Sequence, residues 1–195
     1  MKTFTLLFSF LLVANLLHSQ SYKDSMELYQ RNYVLNHEVV QEDDKDLMQF
    51  FPVNQQYRVF AKFEKTDNGK WFQISTSGKL KKIYRVYGVL KFQINDTTVQ
   101  LNFYQSQDLM ATEKYKNFLF LPFTDATSGI ESYESGRYID IDMNDIQNNM
   151  LVIDFNKAYN PYCAYVSGKY NCPIPPKENH LSIAIRAGEK NYLKH

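Results

Sequence analysis

A chain of 195 residues with 44% hydrophobic and 15% aromatic content can bury one ordinary core, which excludes a disordered polymer and argues for a single domain. Twenty-two Lys and Arg nearly balance 21 Asp and Glu, and the net charge of +1 leaves no concentrated basic face of the kind a nucleic-acid protein needs. The one dense basic run, Lys79-Leu80-Lys81-Lys82, follows a Ser-Gly turn and reads as a solvated loop or strand edge.

The chain opens on a targeting pattern. Met1-Lys2 is a short basic start, and "TFTLLFSFLLVANLL" is an apolar stretch of h-region length, short for a membrane span. Small Ser19 follows, so cleavage is expected near residues 19–21, leaving residues 21–195 as the mature domain with no integral membrane span. No Cys follows the apolar run, which argues against a lipid anchor. Export to a periplasmic or secreted location is the expectation. An oxidising compartment would permit a Cys163–Cys172 disulfide.

Next comes "SYKDSMELYQRNYVLNHEVVQ". Met26, Tyr29, Tyr33 and Val34 recur at helical spacing, and Asp24 or Ser25 is placed to cap the start. "DDKDLMQFFPV" predicts a second short helix, capped by Asp43 or Asp44 and stopped by Pro52. From Tyr57 the period becomes two. "YRVFAKFEK", "WFQIST", "IYRVYGVLKFQI", "TTVQLNFYQ", "NFLFLPF", "RYIDIDM", "MLVIDF" and "LSIAIRAG" read as strands, with turn signals at Asp67-Asn68-Gly69 and Asn95-Asp96. Closely spaced strands without helices between them predict a mainly β fold: one antiparallel sandwich or barrel-like domain with one or two N-terminal helices.

Two constellations carry polar chemistry. From Asp154 to Asn179 runs a connection of about twenty-five residues, longer than ordinary loops. Tyr159, Tyr162, Tyr165 and Tyr170 would pack it down, and Pro161, Pro173, Pro175 and Pro176 would stiffen it. A disulfide across its ten-residue ring would add roughly 2.5–3 kcal/mol. The segment is either a structural lid or a platform holding Asp154, Asn156, Tyr159, Asn160, Glu178 and Asn179 over a pocket. Two thiolates at this spacing do not suggest zinc, and a thiol nucleophile would have only His37 or His180 as internal partners, so no metal or cofactor is expected. The second constellation is "FLFLPFTDATSGIESYESGRYID". Here Arg137 is set to pair with Asp125, Asp154 or a ligand carboxylate, with Tyr138 beside it. Asp140 and Asp142 share one strand face, read as a wet outer face. Neither phosphate-loop glycine spacing nor a G-x-S-x-G elbow is present.

These blocks, with "SGKLKKIYRVYGVLKF" and "NFYQSQDL", resemble the DUF1684 family from about Tyr29 to Lys190. The resemblance implies a predominantly β domain of bacterial origin, here of a Bacteroidetes-type envelope protein. It supplies positions rather than roles: Phe123, Asp125, Gly136, Arg137, Tyr138, Asp154, Asn156, Ala158, Asn160, Pro161, Cys163, Cys172, Pro173, Pro176 and Asn179 match the family's motifs. Glu134-Ser135 stands where relatives are richer in glycine. Three functions stay open. The first is a small-molecule or glycan-fragment binding module, with Arg137, Asp154 and Asn156 orienting the ligand. The second is a hydrolase with Asp154 or Glu178 as acid/base and Arg137 as stabiliser. The third is an envelope protein that binds a protein partner.

Overall fold

The computed structural model describes residues 20–94 and 96–193; residues 1–19 of the predicted signal segment, Asn95 and the last two residues lie outside the described residues. The fold is mainly β: an eight-stranded, largely antiparallel sheet curled into a half-barrel. Its strands are β1 (Arg58–Lys65), β2 (Phe72–Ile74), β3 (Lys82–Ile94), β4 (Thr97–Ser106), β5 (Phe118–Asp125), β6 (Arg137–Asp142), β7 (Met150–Asp154) and β8 (His180–Leu181). They run in the order β6-β5-β4-β3-β1-β7, with β2 added to β3 and β8 parallel to β5.

Alternation explains the layers. Ala61, Phe63, Leu90, Phe103, Leu119, Leu121, Ile139 and Ile153 face inward and form the main core. The opposite face carries a second apolar cluster of Ile74, Tyr84, Tyr104, Phe120 and Tyr138, with Tyr159 packed against it. Curling needs a close approach between β1 and β3. The register shifts between Val86 and Gly88, and a Cβ at Gly88 would sit 2.3 Å from the Phe63 ring and 2.7 Å from the Glu64 carbonyl. Only glycine fits this bulge. Between β6 and β7 the chain turns at Asn148-Asn149, both left-handed (φ 51° and 58°), as a two-residue hairpin loop requires.

Three sequence expectations change. The first helix, α1, is already helical at residue 20 and runs to residue 35, so Asp24 and Ser25 lie inside it rather than capping it. Glu42–Leu47 is a 3₁₀ helix whose N-cap is Gln41, without a side-chain cap. The last predicted strand shrinks to His180–Leu181. Beyond it the chain stays apolar at alternate positions, but the carbonyls of Ile185, Ala187 and Glu189 serve a side chain instead of a neighbouring strand. Among the described residues no helix is long and apolar enough to cross a membrane.

Candidate functional site

Arg137 is fully buried, in register with Phe123. Its Nη2 donates to Asp125 Oδ2 at 2.7 Å and to the Ile185 carbonyl at 2.8 Å; its Nη1 donates to the carbonyls of Ala187, at 2.5 Å, and Glu189, at 3.0 Å. Alternate carbonyls of the C-terminal segment thus converge on one guanidinium. Asp125 is equally enclosed, and its other oxygen accepts from the amides of Thr127 (2.7 Å) and Ile185 (3.3 Å). Gly136 makes the entry to this strand: its φ is +89°, and a Cβ there would lie 2.5 Å from the Phe123 carbonyl. Nearby, fully buried Glu189 accepts from Tyr165 Oη at 2.6 Å and from the Asn160 amide at 2.8 Å, while Asn160 Nδ2 donates to the Lys190 carbonyl. Burial pushes the Glu189 carboxyl up to about 7, against the opposing pull of Tyr165, Asn160 and Arg137.

The other predicted residues are similarly occupied. Asp154 accepts from Tyr22 Oη of α1 and from the Asn156 amide, and Asn156 bridges to the Asn54 backbone. Asn179 joins β4 to β5, donating to the Asn102 and Pro122 carbonyls and accepting from the Asn102 amide. Glu178 is exposed on the 3₁₀ turn Lys177–Asn179. The structure pairs Asp125 with Arg137 and Asp154 with Asn156, but it does not gather the set over one pocket. Cys163 and Cys172 are joined by a disulfide. Among the described residues no cluster of three or more His, Cys, Asp or Glu is arranged to hold a metal.

A different group does surround a cavity. Between α1, its following turn and the 154–179 segment lies an open cleft of about 540 Å³, within the range of small-molecule sites. Tyr29, Tyr33, Tyr138, Tyr159, Tyr162, Tyr170, Pro161 and Pro173 make its apolar walls, and Asn36, His37, Glu38, Lys82, Asp140 and Asn171 are its polar groups. Tyr29 and Tyr33 are one helical turn apart, so α1 presents both to the same side. Tyr33 packs on Tyr159 at 6.1 Å and Tyr162 on Tyr170 at 5.1 Å between ring centres. The Tyr138 and Tyr159 backbones bond to each other, continuing the edge of β6 into the long segment.

Asp140 is the charged acceptor of this wall. Alternation along β6 turns it away from the main core, as the sequence predicts, but the face is not simply wet: Tyr159 Oη donates to its Oδ1 at 2.5 Å. Although solvent reaches part of the side chain, the surrounding protein displaces enough water to raise its pKa, and the Tyr159 hydrogen bond acts the other way. Among the described residues its Oδ2 accepts no side-chain hydrogen bond. Asp140 also borders a groove of about 700 Å³ between the outer edges of β6 and β7, where Arg58, Phe60, Val152, Asp154 and Lys157 lie. His37 backs the cleft: its Nδ1 accepts the Val40 amide at 3.1 Å, while Nε2 is buried without a hydrogen-bond partner. The sequence marks Tyr138 and Tyr159 as site candidates, but Asp140 only as an outer-face carboxylate, Tyr29 and Tyr33 only as helix positions, His37 only as a thiol's partner and Lys82 only as part of a solvated basic run. The signal available was the i, i+4 tyrosine pair and the outward parity of Asp140.

No curated protein matches the chain. Among solved structures, an uncharacterized protein of Haloarcula marismortui determined by solution NMR is similar, with 25% identity and a TM-score of 0.65 over 91% of this chain and 98% of that one. Residues 45–190, from the first 3₁₀ turn through the Arg137 carbonyl ligands, match the family described as protein of unknown function, DUF1684, and the chain belongs to it.

Proposed function

We propose that this is an exported binding protein whose aromatic cleft takes a small polyhydroxylated ligand such as a glycan fragment. The observation that carries the reading is the pairing of tyrosine walls with Asp140, a carboxylate that keeps an oxygen free at the cleft. Sugar rings offer apolar faces that stack on aromatic side chains and hydroxyls that donate to a carboxylate. Lys82 and Asn171 add donors at the rim, and Glu38 adds an acceptor. Export is supported by the apolar stretch at residues 3–17 and by the disulfide, which persists in oxidising compartments.

The hydrolase reading has less geometry behind it. Arg137 is enclosed by Asp125 and three carbonyls, and Glu178 stands exposed on a turn, so neither shares a cavity with Asp154. Native mass spectrometry of protein purified from its own host tests the binding reading. A retained mass of saccharide size, lost in Asp140→Asn, is the expected result. The same retained mass in wild type and Asp140→Asn would overturn the assignment to this cleft.

A further inference from the structure

The charge balance of the whole chain hides a local excess. Residues 65–85 hold six cations (Lys65, Lys70, Lys79, Lys81, Lys82 and Arg85) and one acid, Asp67. β2 and β3 pair as a hairpin, Phe72 with Tyr84 and Ile74 with Lys82, so the run Ser75–Lys81 forms its tip. Large apolar side chains stand out on the same hairpin: Leu80 is 66% exposed, and Trp71 and Phe72 are each 38% exposed. Ile174, whose amide donates to the Ser75 carbonyl, adds another exposed apolar group beside the tip. Among the described residues, no ion pair involves Lys70, Lys79, Lys81 or Lys82.

The tip is also held in place. The Ser77 amide donates to the Cys172 carbonyl at 2.9 Å, the Cys172 amide to Ser77 Oγ at 3.1 Å, and the Leu80 amide to Asn171 Oδ1 at 3.1 Å. Thr76 and Pro173 form a further backbone bridge. The disulfide-closed segment therefore braces the basic tip from behind, and Lys79, Leu80 and Lys81 project with little conformational entropy left to lose.

We propose that this hairpin tip is a docking surface for an anionic lipid bilayer. A solvated lysine run needs no exposed Leu80 and Ile174 beside it, nor Trp71 and Phe72 further down the same hairpin. Apolar side chains flanked by lysines suit the headgroup boundary, where the chains enter and the cations meet phosphates. Soluble polyanions would use the cations and leave the apolar groups in water. The inference does not depend on what the cleft binds.

Vesicle co-sedimentation tests it, with the full chain and vesicles of phosphatidylcholine alone or with one-third phosphatidylglycerol. The expected result is binding to the anionic vesicles that weakens with added salt, falling about fivefold for each lysine removed in Lys79→Gln and Lys81→Gln. Leu80→Ser, an exposed site whose change should leave the thermal midpoint in place, should weaken it further. Equal binding to neutral vesicles, unaffected by these substitutions, would assign the association to the apolar stretch at residues 3–17 and overturn the proposal. So would absence of binding at low salt, or heparin binding that the lysine variants lose while vesicle binding is absent.

Discussion

The Arg137 centre and the Asp140 cleft are both built on β6, within three residues of each other, and they differ in what their polar atoms have left over. Around Arg137 both terminal nitrogens and both Asp125 oxygens are engaged inside the protein, by one carboxylate, three carbonyls and two amides, and among the described residues only the buried Nε lacks a partner. At Asp140, which lines the cleft, one oxygen is held by Tyr159 and the other accepts no side-chain hydrogen bond among the described residues. The strand's two-residue period separates them, with odd positions facing the core and even positions facing the cleft. A buried polar residue whose bonds are satisfied internally is architecture; one with unused bonding capacity toward a cavity is a candidate for recognition.

That contrast can be broken most forcefully at Arg137. Arg137→Met should destabilise the fold by about 3–5 kcal/mol, because Asp125 and the three carbonyls lose their partner, and equilibrium urea unfolding would measure it. A loss below about 1 kcal/mol would mean the centre is not architectural. The disulfide should follow: Cys163→Ser with Cys172→Ser is expected to cost about 2–3 kcal/mol in the same experiment. Glu189 offers an effect of similar size, spread over pH and with a definite sign. Its carboxyl sits at about 7 in the folded protein, against an ordinary 4.5. Between those values the folded chain keeps a proton that the unfolded chain releases. Its contribution is therefore present below about pH 4.5 and lost as pH rises toward 7, on the order of 3 kcal/mol for the whole shift. Glu189→Gln should flatten that slope in urea midpoints taken across the range. Smallest in stability terms is Asp140→Asn, expected within about 0.5 kcal/mol of wild type.

Much of the half-barrel is legible in the sequence because its strands alternate cleanly, as in "YRVFAKFEK" and "RYIDIDM". The segment 181–188 misleads for a physical reason. Alternating Ile183, Ile185 and Ala187 reports an extended backbone with one buried side, but not whether a strand or a guanidinium satisfies its carbonyls. The long 154–179 segment reads correctly as packed and stapled, yet its conspicuous Asp154, Asn156, Asn160 and Asn179 are held by Tyr22 and backbone groups, with only Asn160 Oδ1 of this set buried and unbonded among the described residues. Asp140 is hidden for the opposite reason. Its outward parity rightly reads as solvent exposure, but the walls that α1 and Tyr159 add beside it are contacts between distant segments, which leave no local pattern.

The most direct test is a backbone amide NMR titration of the wild-type chain with a panel of small saccharides, repeated with Asp140→Asn. The account predicts shifts concentrated at residues 29–38, 138–140 and 159–173 for at least one saccharide, with affinity reduced at least about tenfold in the variant. Shifts centred instead on Asp125, Arg137 and Asp154, or an Asp140→Asn variant that binds as tightly as wild type, would contradict it.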